Sequence, residues 1–145
     1  MTALKIFGNA ASESECLEGN DCTCVSGQFR YFTGYVGLGW GSGTTNFKYQ
    51  VSPLQAITKK AQDSGFTSIT SSTDLDGSVS EGFTEKLPSV STECASDVNI
   101  VFIAANSGEE YIIVEQNVGD RKTLDAWHAG TALVDKVLIY VIMLF

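Results

Sequence analysis

The 145-residue sequence has one histidine, two prolines, nine basic residues and no long apolar run. Each scarcity removes a class of function. Nine Lys and Arg against seventeen Asp and Glu leave a net charge of −8. That field repels phosphate backbones and anionic headgroups and argues against nucleic acid as a partner. The longest apolar run, Val137 to Phe145, is nine residues, whereas a helix needs about 20 to span a bilayer. No membrane segment is expected. The opening MTALKIFGNAAS carries one Lys and a short apolar stretch, without the charged start and long apolar core of a signal peptide. The lone His128 has no Ser-x-Gly elbow or cysteine partner placed to use it as a base. One histidine, a Cys-x-Cys and an isolated Cys94 do not supply the paired soft ligands of a zinc site. No metal and no cofactor are expected.

What is present suits a single packed domain. The composition is 43% hydrophobic, 10% aromatic and 18% charged, enough to bury a sizeable core. Three of the four cysteines, Cys16, Cys22 and Cys24, crowd a Ser/Gly/Asn-rich stretch. Such crowding is expected of a small disulfide-closed loop in an oxidising compartment, and four cysteines permit three pairings.

Local patterns then divide the chain. Ala3 to Phe7 reads as a buried strand ending at Gly8-Asn9. Residues 9 to 36 read as an irregular cysteine-containing loop. Residues 30 to 51 combine six aromatics with five glycines, which suits an ordered, irregular connection. Ser52 can cap a helix that Pro53 opens, with Leu54, Ile57 and Ala61 on one face and Gly65 as its stop. A strand is expected near Phe66 to Thr70, a surface loop after it and a short helix within 81 to 93. Val98 to Ala105 is the strongest strand signal, apolar almost throughout, as in a parallel strand covered on both faces. A short strand follows at Ile112 to Glu115, then a polar loop over 116 to 122. A helix is expected from Thr123 or Asp125, carrying Leu124, Trp127, Leu133, Val134 and Val137. The closing VLIYVIMLF reads as one more buried strand, an atypical apolar tail over 138 to 145.

Alternating strands and helices predict an α/β fold, a three-layer sandwich with a mostly parallel sheet. In such sheets ligands bind outside the carboxyl ends of the strands, which directs attention to the segment after Ala105. Glu109 lies there beside Gly108, Glu110 and Tyr111. A carboxylate in a cleft, with Glu110 or Glu115 nearby, can have the raised pKa a general acid requires. From spacing alone, however, loop carboxylates are more often simply solvated. The run Gly37 to Gly43 does not lead into a helix, so it is not a dinucleotide fingerprint; it fits a close-approach loop that brings Ser42 near a ligand or a neighbouring domain. Asp120 and Arg121 form either a site pair or a loop brace, and bracing is the commoner role.

Three strings together resemble one family: ALKIFGNAA at the start, GLGWGSGTTNFKYQVSPLQAI over 37–57 and VNIVFIAANSGEEYIIVEQNVGDRKTLDAWHAGTALV over 98–134. They are similar to the second, α/β-sandwich domain of fungal glycoside hydrolase family 3 β-glucosidases, over residues 3 to about 137. The resemblance implies a retaining, two-domain, extracellular enzyme acting on terminal β-glucosides, with a barrel domain supplying an Asp nucleophile and the sandwich supplying the acid/base. The family's Asp-Ser-Gly-Glu-Gly-Tyr segment corresponds to Asn106-Ser107-Gly108-Glu109-Glu110-Tyr111, so the resemblance gives Glu109 the acid/base role. Tyr111 would line the leaving-group side, and Ser42 would be a polar contact in the substrate pocket. The family's cysteine pair in the loop maps onto Cys16 and Cys22, leaving Cys24 extra.

Several positions depart from the family pattern. Glu110 replaces Gly, Asn106 replaces Asp, Lys48 replaces a common Pro, and residues 25 to 36 resemble an insertion. The nucleophile motif Ser-Asp-Trp occurs nowhere in the chain. A retaining displacement needs two carboxyl groups about 5 to 5.5 Å apart, so this chain by itself is expected to be inactive. It reads as a single partial domain, 1–145, incomplete at its C-terminal end and requiring the barrel as partner. A non-catalytic sugar- or protein-binding remnant is the alternative from another class, with an inactive truncated product as the third.

Overall fold

A computed structural model describes residues 3–13, 34–35, 47–76, 84–87, 97–105, 113–114, 117–118, 123, 125–126 and 129–142. Its centre is a parallel sheet of β1 (Ala3–Phe7), β2 (Ser68–Ser72) and β5 (Val98–Val101), in the order β2-β1-β5. β1 pairs Leu4 with Ile69 on one side and with Val98 on the other. Two short antiparallel ribbons accompany it. β3 (Leu75–Asp76) pairs with β4 (Thr84–Glu85), and β6 (Ile113–Val114) pairs with β7 (Asn117–Val118).

Alternation along β1 sends side chains to both faces. Leu4 and Ile6 pack with Ala61, Leu54 and Ile57 of α1 (Pro53–Asp63), joined by Ile69, Ile100 and Phe102. Phe7, from the opposite face, packs with Val101 and with Leu133 and Val137 of α2 (Gly130–Ile142). The result is helix, sheet, helix: the expected three-layer α/β sandwich. Ile6 is fully buried, and such burial contributes about 2 kcal/mol.

α1 forms where its local signals place it. Ser52 Oγ accepts the Gln55 N–H at 3.1 Å, and Gln55 Oε1 accepts the Ser52 N–H at 3.0 Å, a reciprocal capping box. Pro53 occupies the first turn, where its missing N–H costs nothing. Gly65, at φ +86°, follows the last turn.

Elsewhere the structure corrects the sequence expectations. The tail is helical: α2 continues through Ile142, so the strand read from VLIYVIMLF is wrong. Val, Ile and Tyr favour strands, but no Gly or Pro interrupts the chain after Gly130, and the helix places Leu133 and Val137 on one sheet-facing stripe. α2 also begins at Gly130 rather than at Thr123 or Asp125. Thr123 Oγ1 accepts the Asp125 N–H and Thr131 Oγ1 accepts the Ala126 N–H, both at 3.3 Å, bonds that turn the chain ahead of the helix.

The short helix expected within 81–93 is replaced at Thr84–Glu85 by β4, where Lys86 N–H also bonds Asp74 C=O at 3.1 Å. The loop expected over 116–122 contains β7. β2 lies two residues later than expected and β5 ends at Val101, short of Ala105. Within the loop expected over 9–36, Asn9–Ala11 form a short 3₁₀ turn. No helix among the described residues is long and apolar enough to cross a membrane. Cys16, Cys22, Cys24 and Cys94 lie outside the described residues, as do Asp120, Arg121, Leu124, Trp127 and His128.

Candidate functional site

β2 and β5 lie on opposite sides of β1, so the direction of winding reverses between β1 and β5. The carboxyl ends of two such strands are where open α/β sheets usually hold a ligand crevice. Here that position, the candidate crevice, is flanked by Gly8-Asn9 after β1 and Phe102 to Ala105 after β5.

The two exits are tightly joined at their base. Phe102 N–H donates to Phe7 C=O at 2.8 Å, while on the other side of β1 Gly8 N–H donates to Ser72 C=O, at the end of β2, at 3.0 Å. Gly8 has φ +100°, and a Cβ there would collide with the Phe102 carbonyl. Only glycine lets the strands leave the sheet this close together.

Asn9 is buried at 7% exposure. Its backbone N–H donates to Glu85 Oε1, and its Oδ1 accepts the Gly34 N–H at 3.1 Å. Tyr35 N–H in turn bonds Ser12 C=O at 3.0 Å. The 34–35 link, which precedes the Gly37–Gly43 run, is therefore anchored beside the β1 exit. Burial, and then the Glu13 carboxylate, push the Tyr35 hydroxyl above its ordinary value. Glu13 also accepts from the Gln55 side chain at the start of α1.

Glu85 is the residue that the sequence reading missed. It is buried at 6% exposure, and Oε2 lies 3.3 Å from where a Gly130 Cβ would sit, with Ile103 Cγ2 3.2 Å from the same point. Glu85, in a Ser/Thr/Gly-rich stretch, carries no spacing signal, because its partners are distant in sequence.

Glu109, Ser42 and Tyr111 themselves lie outside the described residues, as do Asn106 and Glu110. Glu109 follows Ala105, the last described residue of the β5 exit, by four positions, and Ser42 follows Tyr35 by seven. Lys48 is described and exposed. Among the described residues no group of three or more His, Cys, Asp or Glu could hold a metal. A groove of about 460 Å³ runs along α1 and β2, lined by Gln55, Lys59, Gln62 and Thr70 among others; it is built without residues of the β1–β5 crevice.

Residues 2–140 match the family model described as the glycosyl hydrolase family 3 C-terminal domain. The chain belongs to this family. It is 43% identical over 104 residues to the probable β-glucosidase L of Aspergillus fumigatus, an alignment covering 72% of this chain and 13% of that protein. The probable β-glucosidase F of the same species is 37% identical over 135 residues, covering 91% of this chain and 13% of the relative. Among solved structures, β-glucosidase D2-BGL of Chaetomella raphigera superposes with a TM-score of 0.66 at 36% identity, covering 96% of this chain and 17% of that one. The β-glucosidase of Chaetomium thermophilum gives 0.70 at 32% identity, covering 96% of this chain and 15% of that one. The family 3 C-terminal region described here thus spans a small part of the relatives it matches, and its α/β architecture is theirs.

Proposed function

We propose that this chain is the acid/base-bearing part of a retaining, extracellular β-glucosidase, with Glu109 as the catalytic proton donor and acceptor. The observation that carries this reading is the reversal of winding between β1 and β5, with Glu109 four positions beyond Ala105 in the sequence. Family membership and the β-glucosidase relatives support it independently.

In the first step Glu109, protonated, gives its proton to the glycosidic oxygen as the C–O bond breaks, while the Asp of a barrel domain attacks the anomeric carbon. In the second step Glu109, now a carboxylate, takes a proton from water as the water displaces that Asp. Asn106, where the family has Asp, removes one negative charge. Tyr111 lines the leaving-group side and Ser42 contacts the sugar. The substrates are terminal β-D-glucosides such as cellobiose.

The test is a hybrid enzyme in which residues 2–140 replace the matching region of the Aspergillus fumigatus β-glucosidase F. Glu109→Gln in that hybrid lowers cellobiose hydrolysis by about 10² to 10⁴-fold. Unchanged hydrolysis would remove Glu109 from the mechanism.

A further inference from the structure

The groove between α1 and β2 has a volume of about 460 Å³, within the range of small-ligand sites, roughly 300–1,000 Å³. Its helix wall follows from periodicity. Leu54, Thr58 and Gln62 recur at i, i+4 and i+8, with Gln55 and Lys59 one position after the first two, a stripe beside the core-facing Leu54, Ile57 and Ala61. The facing wall is β2, whose outer edge no strand pairs among the described residues. Ser72 C=O accepts the Gly8 N–H and so faces β1. Alternation therefore turns the N–H and C=O of Ile69 and Ser71 outward, to the groove. Leu54 and Ile69 add half-buried aliphatic surface between the walls.

Charge narrows what such a groove can hold. No carboxylate is among its lining residues, so nothing there compensates a bound cation. The Lys59 ammonium is held by Asp63 Oδ2 at 2.9 Å, which offsets its attraction for an anion. A wholly apolar ligand would strip water from the polar side chains and the strand edge without replacing those hydrogen bonds. Gln55 is committed to the helix cap and to Glu13. The side chains of Thr58, Gln62 and Ser71 are paired with no other described residue. Thr58 and Gln62 stand about 6 Å apart along the helix, one hydroxyl and one amide on the same face. Together these features suit a neutral ligand that is rich in hydroxyls and has an aliphatic face, which is the chemistry of a carbohydrate. Addition of a peptide strand to the β2 edge is the rival occupant, but two outward residues supply few of the main-chain bonds on which strand addition relies.

We propose that the α1–β2 groove is a second, non-catalytic carbohydrate site that holds a neutral β-glucan chain on Thr58, Gln62 and the outer edge of β2. Its groups belong to α1 and β2 alone and take no part in the proton transfers assigned to Glu109. The choice of a β-glucan among carbohydrates rests on the β-glucosidase reading above.

Affinity electrophoresis tests this without turnover. The 145-residue chain and the hybrid enzyme are run in native gels with and without soluble β-glucan, and both are retarded by it. The double substitution Thr58→Ala, Gln62→Ala weakens the retention about 10- to 100-fold, the scale of two lost hydrogen bonds. Alanine is a good helix former at both positions, and an unchanged circular dichroism spectrum confirms that α1 persists. In the hybrid the same substitutions leave kcat/KM for cellobiose unchanged. Absence of retardation, or equal retardation of parent and variant, overturns the proposal. So does a parallel fall in cellobiose hydrolysis, which would place the effect on the catalytic fold. Retardation by unfolded casein in the gel but not by β-glucan would make the groove a peptide site instead. Glu109→Gln in the hybrid separates the two readings: lost hydrolysis with retention kept leaves both standing, and unchanged hydrolysis rejects the acid/base role alone.

Discussion

The ammonium of Lys5 on β1 lies 2.9 Å from Asp97 Oδ2, just ahead of β5, and the same carboxylate accepts the Ala3 N–H through Oδ1 at 3.1 Å. One side chain thus fastens the amino ends of the two strands whose carboxyl ends form the crevice. The Lys5 hydrogen bond, followed by the Ala3 N–H, holds the Asp97 carboxyl below its ordinary value of 3.8. A carboxyl group whose pKa is lower folded than unfolded stabilises the fold above its unfolded value. That contribution is lost as pH falls through the folded value. Asp97→Asn therefore shallows the acid limb of stability below about pH 4, measured as urea midpoints from pH 7 to pH 2. Identical acid limbs for the two proteins would contradict this.

Gly8→Ala forces a side chain into a positive-φ position and onto the Phe102 carbonyl. A loss of about 3 kcal/mol is expected, the scale of strain combined with a broken contact. Equilibrium urea unfolding reads it directly, and a change below about 1 kcal/mol would mean that the strand exits can separate without cost.

How far the fold was legible followed from how local its causes are. α1 could be read because Ser52, Pro53, the Leu54–Ile57–Ala61 stripe and Gly65 act within a few turns. β1 and β5 could be read because each is a short, largely apolar run, although β5, at the edge of the described sheet, is not covered on both faces as expected: Val98 is exposed and the rest of the strand only half-buried. β3, β4 and β7 could not, since two-residue strands are defined by their partners. The tail misled because its β-branched composition favours a strand, whereas its conformation follows the helical stripe through Leu133 and Val137. The crevice was foreseeable from strand–helix alternation, whereas Glu85 was not, its partners Asn9 and Gly130 being 76 and 45 positions away. The roles of Glu109, Ser42 and Tyr111 came from the resemblance, not from spacing.

Leu133, 1% exposed, seals the α2 side of the sheet against Phe7 and Val101. Leu133→Ala leaves a cavity and costs about 2–5 kcal/mol. Thermal unfolding followed by circular dichroism checks this, and a melting point equal to that of the parent would show that α2 does not pack on the sheet in solution.

Ser52→Ala removes one half of the capping box and exposes the Gln55 N–H, for an expected loss of about 1 kcal/mol. Ser52→Asp, which keeps an acceptor at the same place, retains most of the stability. If both substitutions cost the same, the cap does not stabilise α1.

The acid/base role of Glu109 is tested most directly by chemical rescue of Glu109→Ala in the hybrid enzyme, with 2,4-dinitrophenyl β-glucoside as substrate. That leaving group departs without protonation, so the glycosyl-enzyme forms but its hydrolysis lacks a base. Added azide, a nucleophile that needs no deprotonation, is expected to raise kcat and to yield β-glucosyl azide with retained configuration. If azide neither accelerates turnover nor appears in the product, Glu109 is not the acid/base.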